Sequence, residues 1–188
     1  MSWYGDRMIE TPLGGAFHAR RLQIVSSQVG QVAPSRRPRW SHARRLAKAL
    51  TRLAPPGLEL TEIPINDLPL YSADYDADYP PVARAFKQKI ANCDAVLFVT
   101  PEYNRSIPGC LKNAIDWASR PWGQNSFAKK PSGVIGTSPG AIGTAVAQSH
   151  LRGVLCFCNS PLMNTVEAYV QFKPELIREF FELGLMGI

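Results

Sequence analysis

The sequence has little from which to build a metal centre. Its three histidines, His18, His42 and His150, show no ligand spacing, and its four cysteines, Cys93, Cys110, Cys156 and Cys158, form no CxxC pair. Cys156 and Cys158 make a lone CxC inside the apolar run VLCFC, without two further ligands nearby, so they read as buried structural thiols. No metal is expected. Nor does any apolar run approach the length of a membrane span. The opening segment MSWYGDRMIETPLGG has no apolar h-region of the secretory kind. A cytoplasmic protein with no membrane partner is expected. Internal repeats, low-complexity tracts and domain linkers are also missing, so the 188 residues read as a single domain spanning 1–188. Disorder is excluded by a composition 45% hydrophobic and 19% charged.

What is present in excess is positive charge. The formal net charge is +6, and much of it sits at Arg36, Arg37, Arg39, Arg44, Arg45, Lys48 and Arg52. Clustered cations attract phosphates through counterion release. No aromatic interleaving or nucleic-acid module accompanies this cluster, so it reads instead as a solvated helix face joined to a basic loop, and nucleic acid is not an expected partner.

Strand and helix patterns alternate along the chain. Leu22 to Ser26 reads as a short strand. A helix starts at Ser41, which can cap it, and presents Leu46, Ala49, Leu50 and Leu53 until Pro55-Pro56-Gly57 stops it. Leu58 to Ile65 alternates apolar and polar residues like a half-buried strand. Val82 to Asn92 is helical, with Val82, Phe86 and Ile90 stacked. Ala95 to Thr100 is continuously apolar, as a strand buried on both faces must be. A helix follows from near Pro108 to Ser119, with Lys112 and Asp116 placed to pair. Then come a strand at Ser132 to Thr137, a helix at Ala141 to Phe157, and a last strand opening at Ser160 to Met163. This alternation predicts an α/β fold, a doubly wound parallel sheet in three layers. Ligands of such sheets sit at the carboxyl ends of the strands. Two segments occupy that place, TPEYNRSIPG after Ala95–Thr100 and TSPGAIG after Ser132–Thr137.

The first of these offers backbone donors, the aromatic Tyr103 and a helix N-terminus, which suits a flat heterocycle as well as it suits an ordinary connecting loop. In the second, the glycines allow a tight turn or close ligand approach, while Ser138 can cap the helix that follows.

Pro101-Glu102-Tyr103-Asn104, Ser106, Pro108-Gly109, Leu111-Lys112-Asn113-Ala114 and Asp116-Trp117 resemble the PEYN-x-S-x-PG-x-LKNA-x-DW signature of the NADPH-dependent FMN reductases. The similarity runs from about Arg45 to Pro174. It implies a flavodoxin-like fold, FMN as cofactor, NADPH or NADH as electron donor, and quinones, free flavin, chromate or azo compounds as acceptors. It further implies that Pro101, Glu102, Tyr103 and Asn104 line the flavin, with Ser106 nearby and Ser138 and Gly140 at the other edge of the ring. The cofactor carries the redox chemistry, so no catalytic acid–base residue is nominated.

One part of the family pattern is missing. The family's phosphate loop, GSLR-xx-S-x-N, is replaced by Ala33-Pro34-Ser35-Arg36-Arg37-Pro38-Arg39-Trp40-Ser41-His42-Ala43, where only Ser41 matches in position. Prolines here remove donors that a phosphate nest uses. The segment 1–40 is therefore atypical, and the final helix of the family reads as short or missing after Pro174. These departures keep a second reading open, a flavodoxin-like remnant with impaired FMN binding and no catalysis. The resemblance also implies a homodimer or homotetramer built in part on the helix Pro108 to Arg120. Trp117 and Trp122 are then candidates for its surface, with packing inside the subunit the alternative for Trp117.

Overall fold

The computed structural model describes residues 21–26 and 42–173. Within them, five strands form one parallel sheet: β1 (Arg21–Ser26), β2 (Glu59–Ile63), β3 (Ala95–Thr100), β4 (Ser132–Ser138) and β5 (Tyr169–Gln171), in the order β2-β1-β3-β4-β5. Four α-helices connect them: α1 (His42–Leu53), α2 (Pro81–Asn92), α3 (Gly109–Ser119) and α4 (Ala145–Phe157). This is the flavodoxin-like strand order, with the chain reversing its direction of travel between β1 and β3.

β3 holds the centre because its side chains are apolar on both sides. Val96 and Phe98 point into one cluster with Val134, Ile90, Leu111, Ile115 and Trp117. Leu97 and Val99 face the other way, toward Ile135 and the Ala43 and Ala47 face of α1. Strand alternation therefore divides the core into two layers, of which the one around Trp117 is the thicker among the described residues. Trp117 is its hub. Its ring meets Tyr71 and Tyr79 edge-on at centroid distances of 5.1 and 5.0 Å, and Tyr75 lies tilted at 5.4 Å. Its indole N–H donates to the Pro69 carbonyl at 2.7 Å. Trp117 thus packs inside the subunit, whereas Trp122 stands 78% exposed.

Several sequence expectations shift locally. Leu53 and Val82 are exposed, whereas Ala49 of the expected α1 face is buried, and Ala83 takes the buried place expected of Val82. Cys156 is exposed while Cys158 is buried, because residues two apart on a helix point to different sides. α4 starts at Ala145 rather than Ala141, since Gly143, at φ +57°, lies outside helical geometry. Ser138 therefore caps no helix. Around Ser160–Met163 there is only an isolated bridge, Leu162 to Ser132, and the fifth strand comes later, at Tyr169–Gln171. The expected Lys112–Asp116 pair forms, at 2.7 Å.

Candidate functional site

Parallel pairing brings the carboxyl ends of β1, β3 and β4 to one edge of the sheet. Ser26 is level with Val99, and Thr100 with Gly136. The segment leaving β1, with Ser41, Arg36, Arg37 and Arg39, lies outside the described residues. The loops leaving β3 and β4 lie within them.

The β3 loop turns back on itself. Tyr103 and Ser106 exchange two backbone hydrogen bonds of 2.9 Å, and between them Asn104 and Arg105 sit at φ +50° and +61°. Positive φ at both central residues is the requirement of a type I′ turn, which prefers Asn-Gly. Here it is Asn-Arg, so the turn was not legible from its dipeptide. The Tyr103 ring is part-exposed, and burial of its remainder pushes the phenol upward, which keeps it neutral. Ser106 Oγ lies 3.1 Å from His150 Nδ1 on α4.

Glu102 has a more definite task than its place in the motif suggests. Its side chain is only 7% exposed. One carboxylate oxygen accepts the Ala147 N–H at 3.0 Å, in the first turn of α4, and the other is 3.3 Å from Arg105 Nη1. A carboxylate at a helix N-terminus satisfies an otherwise unpaired donor and meets the positive end of the helix dipole. Because α4 begins where the β4 loop ends, Glu102 ties the two loops together. Its backbone remains in the β3 loop beside Tyr103.

The β4 loop is shaped by close approach. A Cβ on Gly136 would collide with Thr144 Oγ1 and the Thr100 carbonyl, so the start of α4 sits directly against the ends of β3 and β4. A Cβ on Gly143 would come within 2.9 Å of the Tyr169 carbonyl carbon. Gly140 is different, since its Cβ would meet only Ser138 Oγ, at an ordinary 3.6 Å. The Gly140 N–H donates to that same Ser138 hydroxyl at 3.2 Å. The Thr137 hydroxyl, one residue before the loop proper, is buried with no hydrogen-bond partner. Thus Pro101, Glu102, Tyr103, Asn104 and Ser106 share one loop, Ser138 and Gly140 share its neighbour, and Glu102 couples the two. Sequence reasoning missed Arg105, Thr137 and His150, none of which carries a signal without coordinates.

Among the described residues no helix is long and apolar enough to cross a membrane, and no group of three metal-ligating side chains occurs. The sequence model described as NADPH-dependent FMN reductase matches residues 29–175. A 2-hydroxy-1,4-benzoquinone reductase from Burkholderia sp is 59% identical over 133 residues, covering 71% of this chain and 73% of that protein. A quinone reductase from Pseudomonas putida is 51% identical over 131 residues, 69% of this chain and 70% of that one. Among solved structures, the flavoenzyme NAD(P)H:(acceptor) oxidoreductase FerB of Paracoccus denitrificans superimposes with a TM-score of 0.73 at 39% identity, covering 88% of this chain and 93% of that one. With the sheet order, the tied loops and a match spanning most of its length, this chain belongs to the NADPH-dependent FMN reductase family, flavin-dependent oxidoreductases that draw electrons from NAD(P)H.

Proposed function

We propose that this single-domain protein is an NAD(P)H:quinone oxidoreductase that holds the FMN ring between the loops leaving β3 and β4. The observation that carries this reading is the Glu102 tie, which fixes the spacing of those two loops at the carboxyl edge of the sheet. Relatives named quinone reductase and 2-hydroxy-1,4-benzoquinone reductase point to the acceptor.

The residues at this edge fit a flavin ring. Tyr103 offers an exposed neutral aromatic face, Gly140 leaves open space beside its backbone, and the Thr137 hydroxyl lacks a protein partner. In the proposed arrangement Pro101, Tyr103, Asn104 and the Glu102 backbone line one side of the ring. Ser106 lies close by, and Ser138 and Gly140 reach the opposite edge. Ser41 is the remaining nominee for the phosphate end. Bound FMN supplies two-electron transfer from nicotinamide to acceptor. The protein's share is to orient both and to keep the loops from drifting apart. The same reading takes the enzyme as a homodimer or homotetramer; the exposed Trp122 supports a subunit surface, while the buried Trp117 does not.

Against the remnant reading stand the relatives named quinone reductase, which match this chain over 71% and 69% of its length. Purified protein should be yellow and should reduce a simple quinone with NADPH. Substituting alanine at both Tyr103 and Asn104 should weaken riboflavin and FMN binding together, because both contacts are assigned to the ring. Colourless protein that takes up neither flavin on reconstitution overturns the proposal.

A further inference from the structure

We propose that Arg105 makes the enzyme select acceptors that are anions, ionised hydroxyquinones above all, over neutral quinones; the inference rests on the quinone reductase reading given above. The starting point is a backbone outlier. Arg105 sits at φ +61°, in the second central position of the turn between Tyr103 and Ser106, where glycine fits without strain. A non-glycine residue held there is strained. The chain bears that strain to place a long cationic side chain at the rim of the proposed ring site.

The cation is also held in position. Arg105 Nη1 is 3.3 Å from Glu102 Oε1, and Glu102 is itself fixed by the Ala147 N–H of α4. The Arg105 side chain nevertheless remains 68% exposed. A guanidinium carries five N–H donors, so one contact to Glu102 leaves a donor edge facing solvent. In the two loops, residues 101–108 and 138–144, Glu102 and Arg105 are the only charged residues. The two loops are thus balanced in formal charge, with the Glu102 carboxylate buried against the helix terminus and the Arg105 guanidinium the part that reaches solvent.

The chemistry of a 2-hydroxyquinone matches this arrangement. Its hydroxyl is a vinylogous carboxylic acid, ionised at neutral pH, and the oxyanion lies beside a carbonyl on the adjacent ring carbon. Two neighbouring oxygens with shared negative charge suit the planar donor fork of arginine, and a lysine point charge matches them less well. A neutral quinone offers no such anion.

The test is equilibrium binding to the FMN-loaded enzyme without nicotinamide, so that nothing turns over. The ligands are 2-hydroxy-1,4-naphthoquinone and its 2-methoxy ether, which cannot ionise. R105Q removes the charge while keeping the length, and R105K restores a cation without the fork. In R105Q the preference for the hydroxyquinone over the ether should fall about tenfold, the worth of one charge-assisted contact at an exposed site, with R105K between it and the wild type. In wild-type protein, raising ionic strength from about 0.01 to about 0.1 M shortens the screening length from ~30 to ~10 Å and should weaken binding of the hydroxyquinone but not of the ether. This second measurement stands even if a variant holds flavin poorly. Wild type that binds both ligands, with a preference unchanged in R105Q or insensitive to salt, overturns the role of Arg105 and leaves the quinone reading intact. Flavin-loaded wild type that binds neither ligand overturns both.

Discussion

The two faces of the sheet are covered in different ways. On the side of α2, α3 and α4, large rings and branched side chains pack around Trp117, and buried polar groups are tied to backbone carbonyls. On the side of α1, the buried contacts among the described residues are made by small residues, Ala43 and Ala47, with Leu46 and Leu50 only partly covered. Burial of apolar area stabilises at about 25 cal/mol per Å², so among the described residues the thicker face contributes more stability. In the sequence, α1 directly follows the segment that departs from the family. The comparison teaches that the described side chains around Trp117 are drawn from outside that segment.

The sharpest way to break this contrast is a pair of truncations. Trp117→Ala removes the hub of the thick face, three ring contacts and the hydrogen bond to Pro69. It should lower unfolding free energy by about 3–5 kcal/mol, while Leu46→Ala on α1, only partly buried, should cost about 1–2 kcal/mol. Denaturant melts of both variants decide the matter, and equal losses would mean that the faces share the stability evenly.

A smaller effect is expected at the join between the thick face and the site. Gly136→Ala places a methyl group against Thr144 and the Thr100 carbonyl, where backbone must move. Overpacking of this kind costs about 1–3 kcal/mol. Because the displaced parts are the roots of both loops, flavin release should accelerate along with the loss of stability. A variant as stable as wild type with unchanged flavin retention would show that the close approach is not needed.

The smallest effect separates the faces by pH. Lys87 on α2 donates to the carbonyls of Ala118, Arg120 and Gln124, stapling α2 to the end of α3. Burial pushes its ammonium down to about 8, with Asp76 opposing that shift. An unfolded lysine titrates near about 10.4. Between those values the unfolded chain keeps the proton that the folded chain has shed, so stability rises with pH across the window and the increment is lost as pH falls through the folded value. The slope is at most about 1.4 kcal/mol per pH unit, reduced by the solvent that reaches the partly buried amine. Lys87→Met should flatten it; an unchanged slope assigns the effect to another group.

Much of this architecture was legible in the residues. Ala95–Thr100 announced a central strand because its side chains are apolar on both faces, and it is the middle strand of five. The Lys112–Asp116 spacing foretold its ion pair. β5 escaped because three residues are too few to show a period, and they pair with Gly136–Ser138 of β4 through backbone alone. In the site, the motif located the loops but not their coupling. Nothing in the string Pro101-Glu102-Tyr103-Asn104 says that the carboxylate turns toward Ala147, forty-five residues away. The Arg105 turn was hidden for a similar reason, since arginine is a poor advertisement for a left-handed backbone.

The outer strands of the sheet among the described residues have a consequence for solubility. β5 has three residues, and β2 carries Glu59 and Glu62 and ends immediately before Pro64. Short, acidic or proline-terminated borders offer little unpaired backbone to a second molecule, which is how parallel sheets avoid growing into ribbons. Self-association of this protein is thereby steered away from strand-to-strand annealing. Concentrated solutions should resist fibril formation even though the interior of the sheet is as apolar as an aggregating peptide.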